Sequence, residues 1–92
     1  MAEKVLNLSV VAPYGKIYQG DIVSLVAPGE LGYLGILYNH APLVTTLQPG
    51  KLAFKDSRGV EQTLSVNGDG FLEVLDNKIT VLVQRVEKGT NV

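Results

Sequence analysis

The sequence contains no cysteine and no tryptophan, and its single histidine is His40. Without cysteine, disulfide bonds, thiol chemistry and thiolate metal sites are all excluded. One histidine without cysteine also disfavours a transition-metal site, which takes three or four protein ligands. We therefore expect no bound metal and no cofactor.

The chain also lacks a charge excess and a long apolar run. Its 8 basic and 9 acidic residues give a formal net charge of -1, and the basic residues are scattered. Nucleic-acid-binding domains normally carry a clustered basic patch, so nucleic acid is not an expected partner. Apolar runs such as GYLGIL are far shorter than the roughly 20 residues of a membrane-spanning helix. We expect no direct membrane insertion and no signal peptide.

The pattern that is present is typical of β-strands. In LNLSVV, Leu6, Leu8 and Val10 alternate with polar neighbours, as in a half-buried strand. Valine, isoleucine and threonine favour strands, and glycine or proline interrupts nearly every longer window. The sequence therefore predicts one domain, residues 1–92, with an all-β fold. We expect about ten short antiparallel strands in a compact sandwich or flattened barrel.

Turn residues predict where these strands end. Breaks are expected at PYG (13–15), QGD (19–21), Pro28–Gly29 and Pro49–Gly50. DSRG, residues 56–59, has the aspartate and glycine of a hairpin connection. Asp76 and Asn77 form a two-residue loop that favours type I′ geometry. The pattern is lost in EKGTNV, residues 87–92, which we expect to fray.

One window, GYLGILYNHAP at residues 32–42, concentrates the unusual residues. A glycine inside a strand, such as Gly32 or Gly35, usually marks a bulge or a close backbone approach. Pro42 restricts Ala41 to extended geometry, so NHAP indicates a rigid corner. Because side chains alternate along a strand, the apolar and aromatic residues of the window cannot all point inward. Exposed aromatic residues beside a rigid corner suggest a protein–protein contact.

His40 is the natural candidate for acid–base chemistry, because histidine changes its charge near neutral pH. A hydrolytic triad would need a serine and a carboxylate beside it, and no GxSxG-like stretch occurs. The glycines of APGELGYLG lack the lysine and hydroxyl residue of a phosphate-binding loop. We therefore predict that the domain is not an enzyme. The simpler interpretation of His40 is a surface histidine that hydrogen-bonds a loop carbonyl and fixes the following turn.

The window belongs to a longer stretch, GYLGILYNHAPLVTTLQPG, residues 32–50. This stretch resembles the G-x-x-G-x-L-P-x-H-A-P-L-x-T-x-L-x-x-G motif of the epsilon subunit family of F-type ATP synthases, called delta in mitochondria. LNLSVVAPYGKIYQGDIVSLVAPGELG resembles the first strands of that family, and VNGDGFLEVLDNKITVLV resembles its last strands. The resemblance covers almost the whole chain.

The resemblance implies a ten-stranded sandwich on the rotor of the ATP synthase, without chemistry of its own. It would bind the gamma subunit and the membrane ring of c subunits and couple proton translocation to ATP synthesis. By position, Ala12, His40 and Thr45 would face gamma, and Tyr33 and Leu34 would face the loops of the c ring. The implied location is peripheral, at the cytoplasmic face of the bacterial inner membrane, with the stromal face of the thylakoid as the alternative.

The sequence departs from the family pattern at two positions. Tyr33 stands where many relatives carry an acidic residue, and Tyr38 stands where a proline is usual. We therefore expect shape and apolar contact rather than charge at Tyr33. The alternative is that Tyr33 points into the core and fills the gap beside Gly32 and Gly35.

Two further expectations concern regulation and ligands. Longer relatives continue past EKG into a two-helix hairpin that can inhibit ATP hydrolysis and, in some, bind ATP. This sequence stops at Val92, so we expect neither hairpin inhibition nor ATP sensing, and no small-molecule ligand. The alternative function is a free-standing β-sandwich that binds a small ligand or a sugar.

Overall fold

The computed structural model describes residues 4–88, which form seven β-strands and no helix. The strands are β1 (Leu6–Ala12), β2 (Gly15–Gly29), β3 (Gly32–Ile36), β4 (Leu43–Leu47), β5 (Gly50–Asp56), β6 (Glu61–Leu75) and β7 (Lys78–Lys88). The predicted all-β class is confirmed. Within this range there is no helix of the length and apolarity that a membrane crossing requires.

The strands are fewer and longer than the ten predicted, because one of them continues through an expected break and another continues through a bulge. β2 runs through QGD at 19–21, and its pairing with β5 shifts register between Ile22 and Ser24. β6 runs through a bulge between Asn67 and Gly70. A glycine within a strand permits a bulge and a bend without ending the strand. Each of these long strands therefore replaces two predicted short ones.

The strand pairings close on themselves. β1 pairs with β2, β2 with β5, β5 with β6, β6 with β7, and β7 with β1. The β1–β7 pairing is parallel, which differs from the predicted antiparallel arrangement. β3 extends the sheet from β2, β4 extends it from β6, and a single pairing, Gly29 with Leu47, joins β2 to β4. The result is a flattened barrel, as predicted, with two layers that share their long strands.

The core lies between the two layers and is entirely apolar except at one end. In β1, alternate residues point inward, and Leu6, Leu8 and Val10 are fully buried. The Phe54 ring packs at a tilt against Tyr18, with 4.6 Å between the ring centroids. Asp56, at the end of β5, is the buried charged residue among those described.

The predicted turns are largely confirmed. β2 ends at Gly29 and β4 ends at Leu47, next to the two Pro-Gly pairs. Asp76 and Asn77 connect β6 to β7 with φ angles of 49° and 61°, the left-handed geometry that a type I′ turn requires at both positions. β7 continues to Lys88, so the first part of EKGTNV is strand, and its remaining residues lie outside the described range.

Candidate interaction site

Residues 30–33, here called the hairpin tip, comprise the two-residue turn between β2 and β3 and the first two residues of β3, and they project apolar side chains into solvent. Gly29 pairs with Gly32 across the hairpin, and Gly32 adopts a φ of 132° that favours glycine. The side chain of Leu31 is 100% exposed and that of Tyr33 is 61% exposed. The alternative placement of Tyr33 in the core is therefore wrong.

Tyr33 is exposed but held in place. Its hydroxyl oxygen accepts a hydrogen bond from the Lys51 backbone N–H at 3.2 Å. Its strand partner is Pro28, which is buried. A Cβ added at Gly50 would lie 2.8 Å from the Pro28 Cβ and 2.9 Å from the Tyr33 hydroxyl oxygen. Glycine at position 50 thus provides the space in which the Tyr33 hydroxyl lies.

The next two residues of β3, Leu34 and Gly35, behave differently from Tyr33. Leu34 is half-buried and packs towards Gly29, where an added Cβ would lie 2.9 Å from a Leu34 methyl group. Gly35 pairs with Val26 in regular register, and an added Cβ there would meet nothing within 4 Å. The predicted bulge or close approach at Gly35 is therefore wrong. Its missing side chain instead leaves open surface beside the tyrosine.

The segment between β3 and β4, residues 37–42, is here called the 37–42 loop. The His40 backbone N–H donates to the Leu37 carbonyl at 3.1 Å. The His40 Nδ1 lies 2.7 Å from the Ala41 carbonyl oxygen, which can only accept, so Nδ1 carries the proton and donates. The prediction that His40 hydrogen-bonds a loop carbonyl is confirmed. Nε2 is the nitrogen left to interact with a partner.

The 37–42 loop is attached to the β6–β7 turn by two side-chain amides. The Asn39 backbone N–H donates to Asn77 Oδ1 at 2.7 Å, and Asn77 Nδ2 donates to Asn39 Oδ1 at 3.2 Å. Both asparagines have positive φ angles, 65° for Asn39 and 61° for Asn77. The sequence analysis missed this pair, because the two residues are 38 positions apart.

The three residues expected to face gamma are not all placed together. His40 and Thr45 share one segment, but Ala12 lies on β1, which is separated from β4 by β7 and β6. Ala12 is only 5% exposed and belongs to the core. Thr45 is half-buried and pairs with the buried Leu72. These two side chains have little free surface, and their contact with gamma stays a prediction.

Three apolar side chains that the sequence analysis did not select lie on the outer face of β4, β6 and β7. Val44, Phe71 and Leu82, here called the apolar row, are each half exposed or more. Phe71 pairs with Leu82 across β6 and β7, and its partner on β4 is Thr46. Exposed apolar residues on neighbouring strands form a contiguous surface, which is typical of a protein contact.

A groove connects the hairpin tip with the apolar row. It has a volume of about 610 Å³ and is lined by Glu30 of the hairpin tip, by Phe71 and Leu82 of the apolar row, and by Thr46, Leu47, Gln48, Asp69, Gly70, Val83 and Gln84. At one end, the Thr46 hydroxyl donates to the Glu30 carboxylate at 2.8 Å. This bond ties the β2–β3 hairpin to the outer face of β4.

The electrostatic features of the chain lie elsewhere. Hydrogen bonds from the backbone N–H groups of Val60 and Arg58 lower the pKa of Asp56, although its burial acts in the opposite direction. Burial, together with the nearby carboxylates of Asp56 and Asp21, raises the pKa of Tyr18. In the described part of the chain, no three histidine or acidic side chains are grouped as metal ligands would be. The features suited to contact with a partner are the exposed apolar side chains of the hairpin tip and the apolar row.

Comparison with known proteins agrees with this description. Residues 5–89 match the family described as "ATP synthase, Delta/Epsilon chain, beta-sandwich domain". The chain is 44% identical over 92 residues to the ATP synthase epsilon chain of Syntrophomonas wolfei, covering 100% of this chain and 66% of that relative. It is 47% identical over 88 residues to the epsilon chain of Desulfosudis oleivorans, covering 96% of this chain and 65% of the relative. The chain thus spans slightly less than two-thirds of the length of these relatives.

Solved structures share the fold at low sequence identity. A chain of the Euglena gracilis mitochondrial ATP synthase, in a structure of OSCP, F1 and c-ring, superposes with a TM-score of 0.86 at 19% identity. It is matched over 96% of this chain and 56% of that chain. A chain of the Tetrahymena thermophila central stalk and c-ring gives a TM-score of 0.73 at 18% identity, over 92% of this chain and 66% of that one. With the family match over residues 5–89, these findings show that the chain belongs to the ATP synthase delta/epsilon chain β-sandwich family.

Proposed function

We propose that this chain is a non-catalytic subunit of the ATP synthase rotor that binds gamma and the c ring and couples proton translocation to ATP synthesis. Family membership supports the assignment to an ATP synthase, and the observation that carries the contact role is the distribution of exposed apolar residues. The hairpin tip presents Leu31 and Tyr33 at one place, and the apolar row lies on the outer face of β4, β6 and β7. One small domain therefore offers two surfaces of the kind that bind proteins.

The closed strand pairing suits a part that transmits torque. A sheet whose strands pair in a ring leaves few unpaired edges, so a force on one layer is carried into the other through backbone hydrogen bonds. The Glu30–Thr46 and Tyr33–Lys51 bonds additionally fix the β2–β3 hairpin to its surroundings. We infer that gamma and the c ring would turn with the domain as one body, at the cytoplasmic face of a bacterial inner membrane.

We assign the gamma contact to the apolar row and the 37–42 loop. Leu82→Ser removes an apolar side chain from the β7 end of the row and should weaken binding to purified gamma about tenfold, as for an interface anchor of about 1–2 kcal/mol. Val60→Ser is the matched control, because Val60 is equally exposed on the β5–β6 turn. Titration calorimetry measures both variants. If both variants lost the same affinity for gamma, or if Leu82→Ser lost none, the apolar row would not be part of the gamma interface.

We assign the c-ring contact to the hairpin tip. Tyr33→Ala should weaken binding to detergent-solubilised c ring, because the exposed ring is lost, while the melting temperature falls only slightly. Tyr33→Phe keeps the ring and should retain most of the binding. A large loss of stability with unchanged c-ring binding would contradict this assignment.

The coupling role is tested in the assembled enzyme. F1Fo reconstituted in vesicles without this chain should show impaired assembly or impaired proton-driven ATP synthesis, and adding the chain back should restore them. Unchanged assembly and ATP synthesis without the chain would show the coupling role to be wrong.

The groove favours a second candidate, the binding of a small ligand. Its lining combines apolar side chains such as Phe71 with polar ones such as Gln48 and Gln84, as ligand sites do. Titration calorimetry of the chain against a panel of sugars and nucleotides tests this function. Saturable, tight binding would support it, whereas the rotor proposal expects none.

A further inference from the structure

We propose that Asn77 is a positioning residue for partner recognition, which holds the 37–42 loop in the geometry that presents His40. The inference rests on the proposed function, since the partner is gamma. The hydrogen bonds within the 37–42 loop differ from those that connect it to the rest of the domain. Strand pairing ends at Ile36 and resumes at Leu43, so the loop between them has no ladder of its own.

The bonds within the loop cannot fix it to the domain. The His40 N–H bonds to Leu37, and His40 Nδ1 bonds to Ala41, so both bonds start and end inside the loop. Among the described residues, the hydrogen bonds that connect the loop to another part of the chain both end on Asn77. The orientation of the loop therefore depends on one side chain.

Asn77 is itself fixed, which makes it suitable as an anchor. Its carbonyl accepts a hydrogen bond from the Asn7 backbone N–H at 2.9 Å, which joins the turn to β1. Its backbone is in the left-handed region that the two-residue turn requires, so its side chain leaves the turn in a defined direction. Its side-chain amide bonds to Asn39 twice: Oδ1 accepts from the Asn39 backbone N–H, and Nδ2 donates one of its two N–H groups to Asn39 Oδ1.

The consequence for His40 follows from its position next to Asn39. The Asn39 N–H is held by Asn77, and the His40 N–H closes the turn back to Leu37. An amide-anchored loop loses less conformational entropy when a partner binds than a free one does. Loss of the Asn77 amide should therefore reduce affinity even where the contact residues are intact.

The turn provides a matched pair of variants. Asn77→Gly keeps the left-handed backbone and removes the amide. Asp76→Gly makes the same change one residue earlier, at a φ of 49°, and Asp76 has no bond to the 37–42 loop. Both variants add the same flexibility to the unfolded chain, so they should lose similar stability from this cause. Only Asn77→Gly releases the loop.

Two measurements decide the question. NMR-detected hydrogen exchange should show the Asn39 amide exchanging about tenfold faster or more in Asn77→Gly than in Asp76→Gly, because its acceptor is gone. Binding to purified gamma, measured well below the melting temperature, should be about fivefold weaker for Asn77→Gly than for Asp76→Gly, as expected for a lost hydrogen bond.

The outcomes separate the two proposals. If the unmodified chain binds no gamma, the proposed function fails, whatever the exchange data show. If the unmodified chain binds gamma and the two variants bind equally, the positioning role is overturned while the function stands. An unchanged Asn39 exchange rate would also overturn it, because the loop would then be held by something else.

Discussion

Two connections of this domain are fixed by hydrogen bonds to a side chain, but over very different sequence distances. In the turn at 57–60, Asp56 Oδ1 accepts from the backbone N–H groups of Arg58 at 2.9 Å and Val60 at 3.0 Å. In the 37–42 loop, Asn39 bonds to Asn77, 38 positions away. The turn is stabilised mainly within a few residues, and the Ser57 backbone N–H adds a bond to the Asp21 carbonyl at 3.1 Å. The loop is bonded to the rest of the domain through the β6–β7 turn, which folds beside it.

The comparison indicates which connection is suited to recognition. The 57–60 turn is closed mainly by local bonds on the buried residue Asp56, 7% exposed, and the Ser57 backbone N–H adds one bond to the Asp21 carbonyl on β2. The 37–42 loop borrows its rigidity from another hairpin and carries exposed apolar residues and His40. A loop of this kind can be loosened without unfolding the domain, so recognition and stability can be changed separately.

The largest expected effect contrasts the chain's two phenylalanines, which lie on the two sides of the sheet. Phe54, 2% exposed, packs in the core near the 57–60 turn, and Phe71, 50% exposed, lies in the apolar row. Phe54→Ala should lower the free energy of unfolding by about 3–5 kcal/mol, because it leaves a cavity. Phe71→Ala should cost about 1 kcal/mol or less in stability and weaken gamma binding instead. Urea titration and calorimetry measure the two. Similar stability losses would contradict the division between core and contact surface.

A smaller effect is the pH dependence of stability, which tests the hydrogen bonds that Asp56 accepts in the 57–60 turn. Because the pKa of Asp56 is lowered in the folded state, the unfolded state binds protons first as the pH falls. The stabilisation is complete above the ordinary value of 3.8 and is lost as the pH falls through the lower, folded value. Asp56→Asn should therefore have a lower melting temperature at neutral pH, and the difference should narrow in acid. Asp69→Asn, at an exposed acid, is the control. A difference that stayed constant in acid would show that the carboxylate charge is unimportant.

The smallest effect concerns the ion pair in the same turn. Arg58 Nη2 lies 3.6 Å from Asp56 Oδ2, but the arginine side chain is 82% exposed. An exposed pair contributes little, so Arg58→Ala should change the free energy of unfolding by less than about 0.5 kcal/mol. Its backbone N–H, which alanine retains, continues to bond to Asp56. A loss near that of Asp56→Asn in urea titration would show that the guanidinium, not the backbone, stabilises the turn.

Sequence reasoning succeeded where the signal lay in neighbouring residues. The alternation in β1 predicted its buried face, and Asp76–Asn77 predicted the left-handed turn. The predicted strand break at QGD was wrong, because local sequence does not show whether a glycine ends a strand or bends it. The parallel pairing of β1 with β7 was missed for the same reason, because the partners are far apart in the chain.

The candidate site, too, could be predicted only where the signal lay in neighbouring residues. Side-chain alternation showed that the window must expose apolar residues, and the structure places Tyr33 among them. Leu31 was missed, although a leucine between glutamate and glycine in a hairpin turn has no core to enter. Phe71 was also missed, although FLEVL places apolar residues on both faces of its strand, which indicates a surface covered on both sides.

The sequence by itself determined the β class, most turns and the identity of the residues in the window, because these depend on bonds and sterics between near neighbours. Only the tertiary structure decided that β2 and β6 continue across both layers, that Thr45 turns inward, and that Asn77 holds Asn39. Each of these depends on which distant strand lies alongside. That choice is made by packing the whole core at once, and no short stretch of sequence contains it.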